Sequence, residues 1–246
     1  MSKKNKIAFI HFGKAGGVYI NAYFRQRILK NKNLIHKNLW LESHLNKNIT
    51  GRDWNEQELL EFSKLENPDG FVFVHNHQNN WSSFVLKEYK ANGWFTFCFL
   101  RDPKDIICSL YFFSKKLIKN GGHTAIGPVG VLAGYKKRGA FRVIDVEAVS
   151  LDEFVVKMIE DKNQHIFWKL PDYVDDLSYV RQINEKNLRQ FFKEFFDHSY
   201  FPMKKLNVSS NMGYNFYRAI GEISDETHEK LVSHPEYTKY KEYLNK

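Results

Sequence analysis

Three short runs of nearly unbroken apolar residues govern what this chain can fold into: residues 7–12, 71–74 and 94–100. A strand with one wet face alternates apolar and polar side chains. A run that is apolar at almost every position suits a strand buried on both faces, as in a parallel sheet. The first run is followed by a glycine-rich turn and then by Ile20, Tyr23, Phe24 and Ile28 at helical spacing. The second is followed by His75-Asn76-His77 and a helical pattern over 81–90. The third ends at Arg101-Asp102-Pro103, where Asp102 reads as an N-cap and Pro103 as the first helical residue. Ile106, Ile107, Leu110, Phe113 and Leu117 then mark one face of a helix running to about Lys119. Strand and helix alternate, which predicts an α/β fold with a central parallel sheet flanked by helices. Ligands of such folds bind at the carboxyl ends of the strands.

The rest of the chain is less regular. A helix is expected over 56–65. Ser150-Leu151-Asp152-Glu153 forms a capping box, with Leu151, Phe154, Val155, Met158 and Ile159 following at helical spacing. Leu188, Phe191, Phe192, Phe195 and Phe196 form an aromatic stripe that reads as core. Two short helices are expected at 225–232 and 236–244. Segments 31–69 and 120–149 largely lack periodicity, and the second carries six glycines.

At 246 residues and 43% apolar, the chain suits a single domain, 1–246, with a sizeable core. Its 26% of charged residues are too mixed in sign for a disordered chain. A formal net charge of +9 favours anionic partners such as a nucleotide, an acidic glycan or anionic lipid. The lysines are scattered rather than gathered into a patch with interleaved aromatics, which argues against nucleic acid. Two cysteines, Cys98 and Cys108, make no disulfide framework, so a reducing compartment is expected. No signal-peptide pattern and no apolar stretch of about 18 residues is visible, so the expectation is a cytoplasmic protein without a transmembrane segment.

Three polar clusters follow the predicted strands. The first is His11-Phe12-Gly13-Lys14-Ala15-Gly16-Gly17-Val18. A glycine loop entering a helix offers backbone N–H groups to an anion, and Lys14 adds a full charge. It is not a Walker A motif: Lys14 precedes the glycine pair, and Val18 has no hydroxyl for magnesium. A plain structural turn is the alternative. The second cluster is Arg101 to Ser109. The planar fork of Arg101 can clamp a phosphate, and Ser109 lies two helical turns past Asp102. An arginine simply paired with Asp102 or Asp105 is the competing reading. The third cluster, His75-Asn76-His77, puts both rings on one face of a strand. That suits a general base, a zinc site completed by a distant third ligand, or ordinary structural histidines.

Together these clusters resemble the PAPS-dependent sulfotransferases, enzymes that use 3′-phosphoadenosine-5′-phosphosulfate. The first is similar to that family's 5′-phosphosulfate loop, often written H-x-P-K-T-G-G-T. The second is similar to its 3′-phosphate signature, a strand followed by R-D-P with a serine eight residues after the arginine. The third is similar to the histidine pair of the heparan-type 2-O-sulfotransferases, in which the second histidine is the base. Lys204-Lys205-Leu206-Asn207-Val208-Ser209 resembles a late segment of the family. The likeness covers residues 7–30, 71–119 and about 204–244.

The resemblance implies a P-loop-like three-layer sandwich and transfer of a sulfuryl group from PAPS to an acceptor hydroxyl. PAP would be the product, and no metal is needed. It implies His77 as base, His75 as its helper and Lys14 as a catalytic cation. Gly13, Lys14, Ala15, Gly16, Gly17, Val18, Arg101, Ser109 and Ser209 would hold the nucleotide. The acceptor it implies is a glycan or glycolipid hydroxyl, with 31–69 and 120–149 shaping the cleft. Gly13, Ala15 and Val18 depart from the family pattern and remove two hydroxyl contacts to phosphate. Two other functions fit the composition: a nucleotide-dependent small-molecule kinase, which would need magnesium, and a non-catalytic polyanion-binding protein, whose binding would fall steeply with salt.

Overall fold

The structure, a computed structural model, describes residues 6–13, 15–24, 26, 35–37, 55–64, 72–119, 148–160, 170–202 and 221–245. They gather into two compact units. The first comprises residues 1–100 and 171–206, with residue 246; the second comprises 101–170 and 207–245.

The first unit holds the sheet. Its strands are β1 (Lys6–His11), β2 (Ile35–Lys37), β3 (Val72–His77), β4 (Phe95–Leu100) and β5 (Tyr179–Gln182), in the order β2-β3-β1-β4-β5. Every neighbouring pair is parallel, so the fold is α/β as the sequence predicts. The three predicted runs are β1, β3 and β4, which occupy the middle of the sheet. Every residue of β4, and every residue of β1 after Lys6, is buried. Burial on both faces is why these strands read as apolar runs. The edge strands β2 and β5 are additional to the sequence expectation.

Register gives the sheet one strongly aromatic face. Phe9 lies beside His75 on β3 and Phe97 on β4. Because side chains alternate, Ile7, Phe9, Phe73, Phe95, Phe97 and Phe99 share that face. Against it pack Ile20, Tyr23 and Phe24, from α1 (Gly17–Tyr23) and its C-cap, and the stripe of α6 (Glu185–Phe196). Ring centroids of Phe24 and Phe73 are 4.3 Å apart, and those of Phe97 and Phe191 4.7 Å. Each phenylalanine fully buried this way contributes roughly 1.5–3 kcal/mol. This face therefore accounts for much of the first unit's hydrophobic stabilisation.

Two further helices complete the unit. They are α2 (Glu56–Ser63), opened by a capping box between Asn55 and Glu58, and α3 (Ser83–Ala91), capped by Ser82. Trp94 donates its indole N–H to the carbonyl of Ser63 at 2.8 Å, and its ring lies 4.9 Å from that of Tyr89. A turn of 3-10 helix, Gln78–Asn80, follows β3, and Tyr173 donates its hydroxyl to the carbonyl of Gln78 at 2.6 Å.

The second unit is helical: α4 (Pro103–Lys119), α5 (Leu151–Glu160), α7 (Asp225–Val232) and α8 (Pro235–Leu244). The expected capping box forms at Ser150 and Glu153. Asp152 reaches from α5 to the start of α7. It accepts the backbone N–H of Ser224 at 2.7 Å and the hydroxyl of Thr227 at 2.9 Å. Burial alone would raise the Asp152 carboxyl, but these bonds and that from the Ser224 hydroxyl outweigh it and hold it below the usual range. Cys98 and Cys108 are both free and buried. Burial pushes both thiols up, Cys108 to about 12. Among the described residues no helix is long and apolar enough to cross a membrane.

Candidate functional site

The carboxyl ends of β1 and β3 carry the chemistry of the first unit. The register pairs Phe9 with His75 and His11 with His77, so one sheet face changes from phenyl rings to imidazoles as the strands end. His75 and His77 belong to β3 itself rather than to a turn after it. His11 is 7% and His75 4% exposed, whereas His77 is half-buried.

Neighbours fix these rings. The amide nitrogen of Asn21, fully buried on α1, lies 3.0 Å from Nδ1 of His75. When that amide donates, the neutral ring carries its proton on Nε2. The backbone at His77 is held by Asn76, whose side-chain oxygen accepts the His77 N–H at 3.1 Å. The indole N–H of Trp81 reaches the Asn76 carbonyl at 3.4 Å.

The loop after β1 is tight. The N–H of Ala15 bonds the carbonyl of Phe12 at 3.2 Å, and the N–H of Ile20 bonds that of Gly16 at 3.0 Å to open α1. Gly16 is the N-cap, in the left-handed conformation at φ 77°. A side chain there is strained, and its β-carbon would also meet Cδ1 of Ile183. At Gly17 a β-carbon would overlap the His11 ring. Both glycines are thus required by the protein's own packing. The first turn of α1 contains no acidic residue. Gly13 is half-buried, Ala15 buried, and Val18 lies in that first turn. Lys14 and Ser209, both expected to hold nucleotide, lie outside the described residues.

The second unit opens with the other predicted cluster. Asp102 accepts the N–H of Lys104 at 2.8 Å and so starts α4 as expected. Its other oxygen accepts the hydroxyl of Tyr237 at 3.0 Å. Burial, then the negative charge of Asp102, raises the Tyr237 hydroxyl, which stays a proton donor. Arg101, directly after β4, points its Nε at Asp105 at 3.3 Å and is 28% exposed. This is the pairing that the competing reading of the arginine anticipates. It also shows a guanidinium already holding an oxyanion. Ser109 is buried on α4, two turns on.

The structure therefore brings His75, His77 and the glycine loop together through His11, a residue to which the sequence assigned no role. The signal for His11 is the period-two pattern Phe9/His11 beside Phe73/His75/His77, visible only once the strands are paired. Among the described residues no three His, Cys, Asp or Glu side chains converge as a metal ion requires. Compared with family models, with curated proteins and with solved structures, the chain gives no significant match.

Proposed function

We propose that this chain is a PAPS-dependent sulfotransferase with a P-loop-like sandwich, acting on a hydroxyl of a glycan or glycolipid. One observation carries the reading: β3, β1 and β4 are consecutive in a parallel sheet, and their carboxyl ends lead to the histidine pair, the glycine loop and Arg101. Sequences after β1 and β4 run to strands on opposite sides of β1, the arrangement in which open α/β sheets bind ligands. Each cluster, taken by itself, suits one anionic end of such a nucleotide. The loop after β1 enters a helix without acidic residues in its first turn, and Arg101 is a guanidinium that already pairs with a carboxylate.

The roles follow from that fit. PAPS, when bound, supplies the sulfuryl group and carries its own leaving group. Gly13, Lys14 and the amides from Ala15 to Val18 hold the 5′-phosphosulfate and balance charge on the leaving oxygen. Arg101 and Ser109 hold the 3′-phosphate, the group that tells this nucleotide from ATP. Ser209 helps close the nucleotide site. His77, the most accessible imidazole, takes the acceptor's proton, and His75 supports it. The +9 charge suits an acidic glycan.

Calorimetric titration with PAP in the presence of a chelator, beside ADP and the Arg101→Ala variant, tests the proposal. Micromolar binding that prefers the 3′-phosphate, survives chelation and collapses in the variant is expected. Indifference to PAP, or equal binding of ADP only with magnesium, would overturn it.

A further inference from the structure

Arg101 is followed at once by one acid, Asp102, and a helical turn later by another, Asp105. The second unit handles these two carboxylates differently. Asp105 takes the guanidinium, with Nε of Arg101 3.3 Å from its Oδ2. Asp102 is engaged through both oxygens. Its Oδ1 accepts the N–H of Lys104 at 2.8 Å, and its Oδ2 accepts the hydroxyl of Tyr237 at 3.0 Å. The first bond caps α4 and is local. The second comes from α8, far away in the chain, and capping does not require it. Tyr237 is built to stay where it is. It lies in the first turn of α8, which begins at Pro235, and its N–H bonds the carbonyl of His234 at 2.9 Å. It is 7% exposed, and the ammonium of Lys241 lies over its ring, 5.2 Å from the centroid. Burial first, then the negative charges of Asp102 and Asp105, keep its hydroxyl protonated.

We infer that Tyr237 is a positioning residue for the anion site at Arg101: its hydroxyl holds the Asp102 carboxylate toward α8, so that Asp102 does not compete with an incoming phosphate for the guanidinium. A hydrogen bond to an ionised carboxylate is charge-assisted and directional, so it fixes the plane of the group. Without that donor, Oδ2 of Asp102 seeks another, and the fork of the preceding arginine is beside it. Arg101 would then face carboxylates from both the next residue and the next turn. A phosphate would have to displace two acids instead of one. The ligand in this inference, a nucleotide 3′-phosphate, rests on the sulfotransferase reading. The hold on Asp102 does not. The consequence is that α8, which supplies none of the proposed nucleotide contacts, tunes the affinity of the arginine that does.

The full chain tests this as wild type, Tyr237→Phe, and Tyr237→Phe combined with Asp102→Asn. Phenylalanine keeps the ring and loses only the hydroxyl. Asparagine still caps a helix but carries no charge. Two readouts are compared: PAP affinity by calorimetry, and the nitrogen-15 signal of the Arg101 Nε–H, assigned from Arg101→Lys. In Tyr237→Phe the Arg101 signal should shift and PAP should bind up to about 5-fold more weakly, the range of a partly exposed ion pair. In the double variant both should return to the wild-type values or beyond. An unmoved Arg101 signal with unchanged PAP affinity in Tyr237→Phe would overturn the inference. So would an affinity loss that the double variant fails to recover, since a merely structural hydroxyl gives that result. A wild type that ignores PAP, while the Arg101 signal still shifts in Tyr237→Phe and returns in the double variant, would leave the positioning role standing and remove the sulfotransferase reading alone.

Discussion

Two chain segments leave neighbouring parallel strands and turn into helices, and they are built in opposite ways. The junction from β1 to α1 is capped by a left-handed glycine and has no acidic residue in its first turn. The junction from β4 to α4 is capped by Asp102 and carries Asp105 in its first turn, and both carboxylates are engaged, by Tyr237 and Arg101. At the first junction an incoming anion meets backbone amides and no resident acid. At the second it must take the guanidinium from Asp105 in the field of two carboxylates. On the proposed reading, selectivity for a 3′-phosphate would hang on the arginine side chain, whereas affinity for the 5′ end would be spread over the backbone.

The largest effect is expected where one side chain does the work. Arg101→Ala removes charge-assisted bonds of about 1.5–3 kcal/mol, so PAP affinity measured by calorimetry should fall roughly 10- to 100-fold. Thermal stability should hardly change, because the pair with Asp105 is partly exposed. An Arg101→Ala protein that binds PAP normally would break the contrast between the junctions.

Next comes the backbone of the glycine loop. Gly16→Ala forces a side chain into the left-handed region and against Ile183, at a cost of about 2 kcal/mol. Urea unfolding should show this loss, and adding Ile183→Ala should recover the steric part. No recovery would mean that strain at φ 77° is the whole cost.

The start of α7 is a control, since there a carboxylate from another helix, Asp152, is purely structural. Asp152→Ala should destabilise by about 1 kcal/mol near neutral pH. The folded carboxyl titrates below its ordinary value, so the wild-type advantage is fully present above the unfolded value. It disappears as pH falls through the lowered folded value. A wild-type advantage that persisted in strong acid would show that the charge of Asp152 is irrelevant.

The smallest change sharpens the comparison most. Asp105→Asn removes the carboxylate that competes for Arg101, and PAP should bind up to about 5-fold more tightly, within the 1 kcal/mol of an exposed pair. Weaker binding would instead make Asp105 the group that aims the guanidinium.

The central strands were legible because burial on both faces leaves little room for polar residues. The edge strands were not. β2 is three residues, two of them His36 and Lys37, and β5 ends in the half-buried Arg181 and Gln182. One side of an edge strand is free of the ladder, which tolerates such residues. The H-x-H pair at the end of β3 was legible as two rings on one face of a strand, but the stacking of His75 on Phe9 depends on the pairing with β1. Helix starts were legible at Ser150 and Asp102, where the capping side chain is local. The bond from Asn21 to His75 and the place of His11 depend on which strands and helices come together, which no local pattern encodes.

The pairing of His11 with His77 also sets a rule for how this chain can change over time. Side chains alternate along a strand, so deleting or inserting one residue in β1 would turn Phe9 and His11 to the other face together. A point substitution at Ile7 or Phe9 costs packing. A frame-preserving one-codon deletion in the same strand would instead separate the imidazoles and place a histidine among the side chains of the opposite face. Lineages of this protein are therefore expected to vary in the identity of β1 residues far more readily than in their number, and gaps in an alignment should fall outside Lys6–His11 and Val72–His77.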